Sequence, residues 1–175
     1  SDPAARRGER ARRLGVVLSY EFVAQVALGR VERARELLVE CRELASLANH
    51  DELDRAIDLS EAMLDWFAPR MDQARRRLAT LLRRLEDTPG ADWIRAHAAI
   101  RYAETCVYTG RLDELRRDSP GWISVARERG NLHELASLLG LTATVALAFD
   151  DLDDARRRIE AGRECWDSSR YTVPD

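Results

Sequence analysis

Lysine is absent from this chain. All 28 basic residues are arginine, which excludes every chemistry that needs a lysine amine. A P-loop phosphate clamp, a Schiff base and the phosphate-binding lysine of a kinase are all ruled out. The arginine-only usage reads mainly as coding bias in a GC-rich genome. Cysteine is scarce: Cys41, Cys106 and Cys165 are an odd set with no CxxC spacing. They read as small apolar helix residues in a reducing compartment, with a redox pair as the lesser reading. No apolar run approaches the roughly 20 residues of a membrane helix. The start, Ser1-Asp2-Pro3, carries neither methionine nor a secretory segment, and reads as part of a longer chain. Net charge is only −3, too little field of either sign to hold nucleic acid or an anionic membrane.

What the chain does contain is a repeat. Leu28-Gly29-Arg30-Val31-Glu32-Arg33-Ala34 is echoed by Ala68-Pro69-Arg70-Met71-Asp72-Gln73-Ala74, Thr109-Gly110-Arg111-Leu112-Asp113-Glu114-Leu115 and Phe149-Asp150-Asp151-Leu152-Asp153-Asp154-Ala155. The second position falls at 29, 69, 110 and 150. A near-constant period in this range marks a solenoid of supersecondary units. After each signature comes an apolar stripe in one helical register: Val31, Ala34, Leu38, Cys41, Ala45; then Met71, Ala74, Leu78, Leu81, Leu85; then Leu112, Leu115, Ser119, Trp122, Ala126; then Leu152, Ala155, Ile159, Gly162, Trp166. Pro120 within the third stripe predicts a kink or a break.

A second set of breakers lies half a period away, at Asn49-His50-Asp51, Thr88-Pro89-Gly90, Arg129-Gly130-Asn131 and Ser168-Ser169-Arg170. Each repeat is therefore two helices joined by tight turns. Gly29 and Gly110 are placed to take the left-handed conformation that ends a helix. The first helices (Val17-Leu18-Phe22-Val26, Leu53-Ile57-Leu64-Phe67, Ile94-Ala98-Tyr102-Val107 and Leu138-Leu141-Val145-Phe149) are apolar in differing phase. The expected architecture is all-α: a right-handed α-solenoid of four helical hairpins with a period of about 40 residues. Residues 1–10 are expected to be a polar extension, 11–168 the repeat domain, and 169–175 a tail. The last helix is expected to present an open edge around Ile159 and Trp166, covered by a further repeat or by a second copy.

The signature resembles the tetratricopeptide repeat, in which a small residue ends the first helix and an alanine five positions on packs the second. Gly29 with Ala34 follows that pattern; Gly110 is followed by Leu115, and the period exceeds the usual 34 or so. Thr88-Pro89-Gly90-Ala91-Asp92-Trp93, Tyr108 to Leu115, Pro120, Ala126 to Leu132, Phe149 to Arg156 and Trp166 together resemble the C-terminal repeat region of large multidomain bacterial serine/threonine protein kinases. Related arrays follow the ATPase module of large bacterial transcription regulators. The resemblance implies a regulatory or partner-binding arm of a cytoplasmic signalling protein, without kinase activity in this segment: it contains no Gly-rich loop, His-Arg-Asp or Asp-Phe-Gly motif.

No other chemistry competes strongly. His50, His97 and His133 are scattered, and Asp150 to Asp154 fails the calcium-loop spacing, so no metal or cofactor is expected. Arg75-Arg76-Arg77 and Arg156-Arg157-Arg158 splay around a helix instead of forming a stripe, and carboxylates one turn away can neutralise them. No nucleophile elbow is present. In stacked hairpins the first helices line the binding surface, which singles out Tyr20, Trp66, Arg101, Glu104 and Tyr108 as candidates for gripping a protein or peptide partner. The bland alternative is that Tyr20 and Trp66 fill the core. The competing functional reading is an array that senses a small molecule or peptide between hairpins.

Overall fold

In a computed structural model, residues 3–48, 50–86 and 88–168 are described. Ser1, Asp2, Asn49, Asp87 and the tail expected at 169–175 lie outside them. The described residues form eight helices and no strand: α1 (Pro3–Ala27), α2 (Val31–Ala48), α3 (Asp51–Phe67), α4 (Met71–Leu85), α5 (Asp92–Tyr108), α6 (Leu112–Glu128), α7 (Leu132–Ala148) and α8 (Leu152–Ser168). The fold is all-α. Residues 3–10, read as a polar extension, lie inside α1.

The helices stop where the turn residues act. Arg30 N–H donates to the Gln25 carbonyl at 2.9 Å, and Arg111 N–H to that of Cys106 at 2.8 Å. These bonds close the preceding helices around Gly29 (φ 72°) and Gly110 (φ 71°). Asp151 N–H makes the same closure to Ala146 at 2.9 Å. There Asp150 occupies the left-handed position at φ 58°, a conformation that Asp tolerates better than most residues. Three helices, α3, α7 and α8, start on side-chain caps, whereas α4 and α6 start without one. His50 Nδ1 accepts from Glu52 N–H, Asn131 Oδ1 from Glu134 N–H, and Asp151 Oδ1 from Asp154 N–H.

The chain divides into two compact units between Ile94 and Arg95. In the first, α1 packs on α2 and α3, and α3 on α4. Its core is built from Phe22 and Val26, Leu37 and Leu38, Leu53, Leu59 and Met63, and Leu78, Leu81 and Leu85. Full burial of each of the larger side chains contributes about 1.5–3 kcal/mol. In the second, α7 packs on α6 and α8, with Leu115, Ile123, Leu138, Leu139 and Ala155 buried.

Three expectations need adjusting. Of the kink or break expected at Pro120, the break does not occur: α6 runs unbroken through it. An interior proline costs about 3 kcal/mol, but Leu115, Ser119, Ile123 and Ala126 hold one buried face on both sides of it. Val17 is exposed; the buried stripe of α1 runs through Ala11, Gly15, Ser19, Phe22 and Val26, keeping the helical period in a different phase. Leu152, placed in the stripe of α8, is also exposed. The irregular phase of the first helices has a physical origin. α3 and α7 bury seven and eight residues, whereas α2, α4 and α6 bury four or five. A helix contacted from more than one side needs no single stripe.

Candidate partner-binding surfaces

Arg101, Glu104 and Tyr108 stand at helical spacing on α5 and share one face. Arg101 Nη1 donates to Glu104 Oε2 at 2.7 Å, with both side chains half-buried. Tyr108 is 68% exposed at the helix end. The face thus carries an ion pair and an accessible aromatic ring.

Tyr20 and Trp66 have separate surroundings. Tyr20 is 52% exposed, so it is not a core residue. Its ring meets Trp93 at 4.8 Å between centroids and 56° between planes. The two edge a hollow of about 60 Å³ that Glu52 and Arg55 also line. Trp66 is half-buried and packs edge-on against Phe67 at 4.8 Å. Trp93, Tyr20's partner, is not among the candidates from sequence because it enters from a helix start with no periodic signal of its own.

A second surface is the outer face of α7 and α8. A groove of about 430 Å³ runs between them, floored by Ala136, Gly140 and Gly162 and flanked by Ile159, Arg163 and Trp166. Ile159 is 47% and Trp166 65% exposed, at the edge where the sequence places an uncovered face.

The remaining polar clusters tie helices to one another. Arg95 on α5 reaches Glu134 on α7 with two bonds of 3.0 and 3.1 Å, and Asn131 adds a third donor at 3.1 Å. Burial pushes the Glu134 carboxyl above the usual carboxylate range, against the pull of Arg95. In the first unit Asp65 is almost fully buried and accepts from Arg70 at 2.7 Å and from Arg77 at 2.9 Å. Glu61 joins Arg77 to Arg42, tying α2, α3 and α4 together. The Tyr102 hydroxyl donates to Glu114 at 3.2 Å; burial above all holds it protonated. The arginine runs are laced as the spacing suggests. Arg75 meets Asp72, Arg157 and Arg158 meet Asp154, and Arg116 lies over the Phe149 ring at 4.7 Å. The Asp150 to Asp154 run supplies a helix cap and first-turn charge.

Among the described residues, no group of three or more His, Cys, Asp or Glu side chains is placed to hold a metal ion, and no helix is long and apolar enough to cross a membrane. The chain matches no protein-family model, no curated protein and no solved structure.

Proposed function

We propose that this chain is a non-catalytic protein–protein interaction module, built as a right-handed α-solenoid of four hairpins. It would serve as the regulatory arm of a larger cytoplasmic signalling protein, kinase-linked as the sequence resemblance suggests. The observation that carries the reading is the α5 face: Tyr108 is 68% exposed beside the Arg101–Glu104 pair. Tyr and Arg recur as interface anchors because each brings large contact area and directed polar contacts at modest entropy cost. Here Arg101 is already held by Glu104, so little ordering remains to be done on binding.

Partner capture uses this face as an anchor while the surrounding helices supply complementary surface. The alternative is a small-molecule or peptide sensor of the kind found in ATPase-type transcription regulators. It asks for an enclosed apolar pocket with convergent polar groups. The Tyr20–Trp93 hollow, at about 60 Å³, is small for that role, and the groove of about 430 Å³ is open and nearly all apolar on its floor.

The test is Arg101→Ala with Tyr108→Ala. The double variant should weaken binding of the parent protein's partner by at least tenfold while keeping the thermal transition of the wild type. Unchanged binding, or a large loss of thermal stability, would remove the α5 face as the anchor.

A further inference from the structure

The groove between α7 and α8 has a filled counterpart in the first unit. Gly15 lies twelve residues before the last residue of α1, and Ala136 twelve before the last residue of α7. Ser19 and Gly140 correspond in the same way. Cys41 and Gly162 each lie ten residues after the first residue of their helix, and Arg42 and Arg163 eleven after. In the first unit these positions form a seat for α3. Cys41 Sγ approaches the Gly15 carbonyl at 3.8 Å. Leu53 enters so closely that a Cβ on Gly15 would lie 2.5 Å from its Cδ2. Eight residues along α3, Glu61 closes the contact with a 2.6 Å ion pair to Arg42.

The α7–α8 groove therefore has the floor of a helix seat, with small residues where Gly15, Ser19 and Cys41 stand and an arginine where Arg42 stands. What fits it is a helix presenting a leucine with a glutamate eight residues later. The chain carries that pair on an exposed face. Leu152 and Glu160 of α8 have the spacing of Leu53 and Glu61, and both are exposed. Leu152, Ile159 and Trp166 also recur every seven residues, forming one exposed apolar line along α8.

We infer that the occupant is a second copy of this chain, joined about a two-fold axis near Ile159 so that each α8 lies antiparallel in the other's groove. A helix paired with itself in this way is self-complementary. Ile159 meets Ile159 of the other copy, and Leu152 meets Trp166, each seven residues from the axis. Glu160 of each copy faces Arg163 of the other, repeating twice the Glu61–Arg42 contact of the first unit. The α2–α3 pair supports the direction, because consecutive helices joined by a tight turn run antiparallel. The α5 face takes no part, so dimer formation and partner capture stand or fall separately.

The experiment is sedimentation equilibrium of the full chain over a wide concentration range, with helicity followed in parallel. The wild type should approach twice its 19.9 kDa mass. Ile159→Asp should be monomeric with unchanged helicity. Arg163→Glu and Glu160→Arg should each weaken the dimer at least tenfold by placing like charges across the axis, and combining them should restore it. All three positions are exposed, so loss of the fold is not expected. A wild-type chain that stays monomeric throughout, a dimer indifferent to Ile159→Asp, or a charge swap that fails to restore association would overturn the inference.

Discussion

Removing Glu134 should unfold the second unit far more readily than any surface substitution. The Arg95 side chain is 9% exposed and that of Glu134 fully buried. Glu134→Ala leaves a guanidinium with no carboxylate in a site almost closed to water. Breaking a buried pair from one side costs about 3–5 kcal/mol, against a total stability of about 5–15 kcal/mol for a domain. For a chain of this length each kcal/mol moves the thermal midpoint by about 2–4 °C. The midpoint should therefore fall by roughly 6–20 °C. Arg95→Met with Glu134→Leu removes both charges and should recover most or all of the loss, because apolar replacement of a buried pair is often neutral or better. The pH dependence has a definite sign. A carboxyl raised in the folded state favours folding at low pH, and that contribution disappears as pH climbs through its folded value. Glu134→Gln should flatten the stability profile just above the ordinary carboxylate range. Urea unfolding followed by circular dichroism, at several pH values, reads all of these. A cost below about 1 kcal/mol for Glu134→Ala, the size expected of an exposed pair, would mean that Arg95 and Glu134 are not a buried pair in solution. So would a double variant as unstable as the single one.

Other consequences are independent. Gly15→Ala forces Leu53, fully buried, out of its seat; overpacking of this kind costs about 1–3 kcal/mol. Gly162→Ala meets only ordinary contacts of 3.6 Å and should be neutral or gain helix propensity, so equal losses at the two sites would contradict the close approach of α1 to α3. The Cys41 thiol is pushed up to about 11 by burial and by Glu40, and Cys106 is buried. A thiol reagent near neutral pH should modify Cys165 first, with the other two reacting only on unfolding; prompt reaction of Cys41 would contradict its packing. Arg12 and Arg13 hold the exposed Glu9 carboxyl down to about 2. Its contribution is present above the ordinary carboxylate value and lost as pH falls toward 2. An NMR titration of Glu9 with a midpoint in the usual carboxylate range would show that the pairs do not form in solution.

The helices and their turns were legible because local rules write them. Gly29 and Gly110 take positive φ as the turn chemistry demands, and the offsets of Ala34, Leu38 and Cys41 are buried as their register predicts. Asp150 was harder to read: an acidic run at a helix start suggests capping, and capping it is, but the left-handed residue among the four carboxylates is set by where α7 ends. Val17 was misplaced because α1 takes its phase from the contact of Gly15 with α3, a long-range fact that periodicity in one helix cannot hold. Arg95 and Glu134 lie 39 residues apart. The cap Asn131-x-x-Glu134 is readable locally, but its buried cation is not. Likewise Ile159 and Trp166 announced an uncovered edge, while the groove beside them needed Ala136 and Gly140 from another helix. Among the candidate anchors, Arg101, Glu104 and Tyr108 share one helix, so spacing alone puts them together, whereas Tyr20 and Trp66 take neighbours that spacing does not specify.

If this chain works by holding another protein, a photo-crosslinking residue placed at position 108 in the cell of origin should capture it. The arginine-only composition leaves no lysine for amine crosslinkers, so a photoreactive group is the suitable probe. A parallel substitution at the exposed Arg76 serves as control. One discrete protein adduct is expected from position 108, absent from position 76 and lost when Arg101→Ala is added. No adduct at position 108, or the same adduct from both positions, would contradict partner capture at this face.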